Sequence, residues 1–237
     1  MCSIHFIALI YQPPANNLLE LIYRDDTLLV VNKPAGLLSV PGRGADKQDS
    51  LSSRIQQEFP DALIVHRLDM ATSGLMLFAR GTEMQQHLSQ MFREREVQKR
   101  YVAVVAGRME PASGEVNLSI AADWPNRPLR KIDVESGQPS LTRYRLLSHD
   151  VDTDTSRVEL EPVTGRTHQL RLHMAAIGHP ILGDRLYGGA AGVSAERLLL
   201  HASELGFVHP LSEEPLTLTT EPRFDRHQRN ITAARLD

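Results

Sequence analysis

Apolar residues recur along this chain in two rhythms, one of strands and one of helices. Residues 28–32 form a short β-type run that stops at Lys33-Pro34-Ala35-Gly36, where proline and glycine force a turn, and a second turn follows at Pro41-Gly42. Leu51, Ile55 and Phe59 fall at i, i+4 and i+8, so the spacing predicts a helix capped by Asp49 and stopped by Pro60. Met84, Leu88, Met91 and Phe92 predict a second helix, capped by Thr82. Residues 63–65 and 74–79 are apolar without interruption and too short for amphipathic helices, which makes them buried strands. Residues 101–106 read as another strand, and Val158 and Leu160, then Leu216 and Leu218, alternate with period two. A third helix is expected over residues 168–177, with Leu170, Met174 and Ile177 on one face and Gly178 at its end. Gly188-Gly189-Ala190-Ala191-Gly192 reads as a flexible surface loop. Strands and helices mix without regular alternation, so the expected class is α+β rather than a doubly wound parallel sheet.

Composition narrows the setting. At 237 residues and 41% hydrophobic, the chain can bury a core without a staple. A single cysteine, Cys2, rules out a disulfide framework or a thiolate metal cage and fits a reducing cytoplasm. The apolar residues 4–11 are far fewer than the roughly 20 that a membrane span needs. No Lys or Arg precedes them and Pro13-Pro14 follow, which argues against a signal peptide. The net charge of -3, from 26 Lys plus Arg against 29 Asp plus Glu, excludes coating of nucleic acid by bulk electrostatics. Any such contact must be local. Two basic clusters exist, Arg93, Arg95, Lys99 and Arg100, then Arg127, Arg130 and Lys131; alone they read as solvated faces.

The loop joining the strands at 63–65 and 74–79 holds Arg67 and Asp69. By residue type Asp69 is either a turn former, which loop aspartates commonly are, or a charge presented to a ligand. Tyr101 alone reads as a strand aromatic. A metal-dependent hydrolase is conceivable from His168, His173, His179 and Asp184. Spacings of five and six residues, however, put those histidines on different helical faces, unlike a chelating i, i+4 pair. No phosphate-binding glycine loop of either nucleotide type is present.

The full string His66-Arg67-Leu68-Asp69-Met70-Ala71-Thr72-Ser73-Gly74-Leu75 resembles the catalytic signature of the RluA family of pseudouridine synthases: HRLD, two variable residues, TSG and an apolar strand. Asn32-Lys33-Pro34-Ala35-Gly36, Lys99-Arg100-Tyr101-Val102-Ala103, Thr164-Gly165-Arg166-Thr167-His168-Gln169-Leu170-Arg171, His179-Pro180-Ile181-Leu182-Gly183-Asp184 and Leu198-Leu199-Leu200-His201-Ala202 agree in order and spacing. The resemblance spans residues 21–222. It implies the pseudouridine synthase fold, a bent, mixed and mostly antiparallel sheet with flanking helices and a central active-site cleft. Residues 1–20 are then a flexible extension and 223–237 a polar tail. The segment ahead of residue 28 is too short for the S4 RNA-binding domain of many relatives, so RNA affinity is expected from the catalytic domain alone.

The same resemblance implies an isomerase that breaks the uridine N1–C1′ bond, turns the base and rejoins C1′ through C5, with no cofactor and no metal. Asp69 is the family's essential carboxylate, as nucleophile or base, and Arg171 its ion-pair partner. Tyr101 matches an active-site tyrosine that packs on the target base and has been proposed to help remove the C5 proton. Arg67 matches an arginine that fills the stack vacated by the extruded uridine, and His66 and Leu199 are implied at the substrate. Lys33, Arg166 and His168 join the two basic clusters as expected RNA contacts. Residues 39–43 and 123–128 look most like members acting on a 23S rRNA hairpin and the anticodon stem-loop of tRNA. A cytoplasmic monomer is expected; the rival within this fold is an RNA-binding module without chemistry.

Overall fold

The computed structural model describes residues 11–15 and 19–224. Residues 28–31 are apolar on both faces of a strand, and the fold supplies a helix for each. Strand β2 (Leu28–Lys33) pairs antiparallel with β4 (Ser73–Arg80), from Leu28↔Ala79 to Lys33↔Gly74. Leu28, Val30, Leu75 and Leu77 cluster with Met84, Leu88 and Met91 of helix α2 (Thr82–Glu94). Leu29, Val31, Met76 and Phe78 cluster with Leu51 and Ile55 of helix α1 (Leu51–Glu58). A strand covered on both faces has no polar side to alternate with, hence the unbroken apolar runs. Each fully buried aliphatic side chain stabilises the fold by about 1.5–3 kcal/mol.

The remaining strands are β1 (Leu21–Arg24), β3 (Ala62–Ile64), β5 (Gln98–Ala106), β6 (Ser113–Asn117), β9 (Leu141–Asp150), β10 (Thr155–Pro162), β11 (Leu200–Val208) and β12 (Pro215–Thr219). With β2 and β4 they form one sheet, ordered β1-β2-β4-β11-β5-β10-β9-β6, with β12 on β11 and β3 on β4. Strands β7 (Ile120–Ala122) and β8 (Arg130–Ile132) form a separate hairpin. The class is α+β, as expected. The sheet is mixed because β4 and β11 run parallel at Ser73↔His201 and Gly74↔Ala202, whereas the other pairs are antiparallel. Gly74 makes this seam possible. Its φ of +117° suits glycine, and a Cβ there would collide with the Ala202 backbone. Among the described residues, no helix is long and apolar enough to cross a membrane.

Helix ends correct the sequence expectations. Ser50, not Asp49, caps α1, its Oγ accepting from Ser53 N at 3.2 Å, while Asp49 accepts from Arg54 Nε and Nη2 at 2.7 and 2.8 Å. Thr82 opens α2 as its first helical residue; the cap is Gly81, whose φ of +83° threonine avoids. Helix α3 (Gln169–Ala176) buries Leu170 and Met174, and Gly178 follows it at φ +86°. It also buries Gln169, Arg171 and His173, so it is no amphipathic surface helix. The stretch expected to be a flexible loop is a 3-10 turn, Gly189–Val193, packed so closely that a Cβ on Gly188 or Gly192 would press on the Asp184 carbonyl. Most of the expected extension (1–20) and tail (223–237) lies outside the described residues. Within the extension, Tyr11 docks: its Oη donates to Asp49 O at 2.9 Å and accepts from Leu38 N at 3.0 Å.

Candidate active site

The loop between β3 and β4 is clamped on both sides of Asp69. Ser39 Oγ donates to Leu68 O at 2.6 Å and accepts from Leu68 N at 3.1 Å. On the other side, Met70 O accepts from Gly36 N at 2.8 Å and from Lys33 Nζ at 3.1 Å. Lys33 is fully buried, and its ammonium also donates to Leu37 O and Pro34 O at 2.7 and 2.9 Å. Burial, and secondarily Arg197, push Lys33 down to about 7 although Asp69 opposes the shift. This corrects the expectation of an RNA contact: Lys33 braces the loop from inside. These contacts hold the loop backbone on both sides of Asp69.

Arg171 reaches Asp69 from α3. Its Nη1 donates to Asp69 Oδ2 at 3.3 Å, while Nε and Nη2 donate to the two oxygens of Asp184 at 2.8 and 2.6 Å. Burial opposes both charges of the Arg171–Asp184 pair, but their hydrogen bonds and mutual attraction prevail, so Arg171 is raised and Asp184 lowered. Asp184 is kept in place by amides of its own turn, Leu186 and Tyr187, at 3.0 and 3.2 Å. His168 stands with Nε2 3.9 Å from Asp69 Oδ2 and Nδ1 2.7 Å from Tyr187 Oη. The same Tyr187 hydroxyl accepts from Arg130 N at 2.9 Å, which ties His168 to the hairpin that carries Arg130. Burial pushes His168 down against the pull of Asp69.

Asp69 lines a cleft of about 630 Å³ and is the one carboxylate among its lining residues, which include Arg67, Arg93, Arg95, Lys99, Arg166 and Arg171. A chain of net charge -3 thus carries a concentrated cationic surface at one place. Tyr101 lines the cleft beside Asp69; burial, then the Asp69 charge, push its phenol far up. His66 also lines it, stacked on Phe92 at 4.5 Å and accepting from Leu77 N at 2.9 Å. Burial, with the Lys99 charge, brings His66 down to about 3, so the ring is neutral.

Other expected contacts fall elsewhere. Leu199 is fully buried with Val104, Leu182 and Phe224; its neighbour Leu200 lines the cleft instead, because successive side chains leave an extended backbone on opposite faces. For the same reason Arg100, between Lys99 and Tyr101, is turned from the cleft and paired with Glu159 and Glu204 at 3.0 and 3.2 Å. Arg130 and Lys131 line a neighbouring groove, and Arg127 lies over Trp124. The four residues of the metal rival do not converge. His173 is engaged by Thr142 and Leu118 O, His179 by Ala106 O, Asp184 by Arg171 and His168 by Tyr187.

Three contributors were missed as site residues: Asp184, which was given a role only in the metal rival, Tyr187 and Ser39. The signal for Asp184 was a carboxylate at a Gly-Asp turn shortly after a helix holding an arginine.

The mixed, mostly antiparallel sheet thus carries a clamped, guanidinium-paired aspartate in a cation-lined cleft. The chain belongs to the RNA pseudouridylate synthase family, whose sequence model matches residues 27–176. It is similar to the dual-specificity RNA pseudouridine synthase RluA of Escherichia coli strain K12, 49% identical over 215 residues, covering 90% of this chain and 98% of that one. The protein of the same name from Pasteurella multocida is 48% identical with the same coverage. Among solved structures, human RNA pseudouridylate synthase domain containing 1 has a TM-score of 0.75 and 31% identity, over 90% of this chain and 87% of that chain. The chain is an isomerase acting on RNA.

Proposed function

We propose that the cleft receives a folded RNA, takes one uridine out of its stack and converts it to pseudouridine, with Asp69 as the catalytic carboxylate. One observation carries this reading: the single carboxylate lining a cation-rich cleft is met by a buried guanidinium at 3.3 Å. The N1–C1′ bond breaks, the base turns, and C1′ rejoins through C5; the proton lost at C5 is balanced by one gained at N1. An anionic carboxylate can attack C1′ or take a proton from the sugar, and Arg171 stabilises that anion. The upward push on Tyr101 keeps its phenol neutral, which suits packing against the base better than acting as a phenolate base.

Arg67 is exposed and lines the cleft, where a planar guanidinium can stack in the gap left by the everted nucleotide. Arg93, Arg95, Lys99 and Arg166 supply charge for phosphates along the same cleft. The dual specificity in the relatives' name, with the likeness at residues 39–43 and 123–128, supports a 23S rRNA hairpin and the tRNA anticodon stem-loop as the two RNAs. The chain is proposed to act as a monomer in the cytoplasm, where RNA of this kind is found. The isomerisation involves no redox change and no energy input, so no cofactor is required.

Pseudouridine mapping of total RNA from cells with and without the gene tests this. Loss of specific pseudouridines from 23S rRNA and from tRNA anticodon arms is the expected result. Identical maps would overturn the reading.

A further inference from the structure

The single tryptophan of the chain stands in solvent. Trp124 is 68% exposed on the turn between β7 and β8, a turn fixed by backbone bonds Asp123 N to Leu129 O, Asn126 N to Asp123 O and Leu129 N to Asn126 O. Leaving so large an apolar surface in water forgoes a sizeable gain, so its position calls for a use. The Arg127 guanidinium lies 3.6 Å from the ring centroid, a contact that orients the indole and adds positive charge beside it.

Next to the ring is a groove of about 550 Å³, lined in part by Trp124, Arg130, Lys131, Asp133, Arg166 and Thr167. Asp133 engages Lys131 at 3.0 Å, which leaves the two arginines as the groove's cations for a ligand. The Nε of Arg130 is buried and meets no acceptor among the described residues. Gly165 and Arg166 line both this groove and the catalytic cleft, so the two adjoin. Arg166 Nε donates to Pro139 O at 3.4 Å, and an exposed indole beside these two guanidinium groups matches a flat base followed by its phosphate.

We propose that Trp124 is a base-stacking platform for the RNA strand flanking the target uridine, with the adjoining phosphate on Arg130 and Arg166, and that it contributes to the choice of RNA. This rests on the uridine-isomerising reading of the neighbouring cleft.

Because Trp124 is the only indole, intrinsic fluorescence reports on it alone. The full-length Asp69→Asn protein is titrated with a synthetic anticodon-arm hairpin carrying uridine in its loop, and the unmutated enzyme is assayed on the same hairpin. Saturable quenching is expected. Trp124→Ala should raise KM roughly 5- to 100-fold, the range set by stacking of a single base, with Trp124→Phe recovering most of the loss. The titration uses the unmutated ring, so it stands even if Trp124→Ala folds poorly. Unchanged fluorescence with RNA demonstrably bound, or a wild-type KM in a folded Trp124→Ala enzyme, would overturn the platform while turnover by the unmutated enzyme keeps the catalytic reading intact. No pseudouridine from the unmutated enzyme on any RNA would overturn both.

Discussion

Arg171 grips Asp184 with two donors at 2.6 and 2.8 Å, and only its third nitrogen, at 3.3 Å, is left for Asp69. The buried carboxylate of Asp184 therefore sets the direction from which the guanidinium meets the partly buried Asp69. Lysine has no planar fork to hold Asp184 through two nitrogens while a third meets Asp69, so Arg171→Lys should lose turnover by on the order of 100-fold, the cost of misplacing a reacting group by about an ångström. Wild-type kcat in that variant would show that the bridge is not needed.

Asp184 should matter for stability as well. Its side chain is 1% exposed and that of Arg171 6%, so Asp184→Ala leaves a buried guanidinium without its main partner. The expected loss is about 3–5 kcal/mol, measured by urea denaturation, and smaller for Asp184→Asn, which keeps one acceptor. Unchanged unfolding midpoints would contradict the role given to the pair.

Acid sensitivity should begin above the carboxylate range. Burial pushes His66 down to about 3 and His201 to about 4, helped by the charges of Lys99 and Arg197 respectively. In the unfolded chain both titrate near 6.5, so as pH falls from there toward 4 the unfolded state takes up protons that the folded state refuses. Stability is full above 6.5 and declines below it, each ring contributing up to about 1.4 kcal/mol per pH unit. His66→Gln should flatten the decline. A stability curve level from pH 7 to 4.5 would refute this.

Phosphate contacts can be separated from surface charge by salt. Arg127→Ala and Arg130→Ala should each lower the slope of log affinity against log salt by about 1. Lys131→Ala should change it less, because Asp133 already engages that ammonium at 3.0 Å. Equal slopes in all the variants would place the hairpin outside the RNA footprint.

Much of this arrangement was legible because it is contiguous in the chain. Residues 66–75 hold Arg67, Asp69 and the start of β4 in one string, and the apolar runs of β2 and β4 mark strands covered twice. Facing was less legible. Nothing local distinguishes Leu199 from Leu200, or Arg100 from Lys99, until the sheet assigns each to a side. Strand β9 escaped notice because its sequence, LTRYRLLSHD, is mostly polar, although Thr142 is buried and Tyr144 and Leu146 pack against the core. Arg171 and Asp184 meet from thirteen residues apart, across the end of α3 and the segment that follows it, a closure that helical periodicity does not encode.

The sharpest trial is single-turnover pseudouridine formation by the Asp69→Asn enzyme on a hairpin that the unmutated enzyme modifies, with RNA binding followed in parallel. The swap keeps shape and removes charge, so binding should persist and the product should be absent. Substantial product from this variant would contradict the central role of the carboxylate.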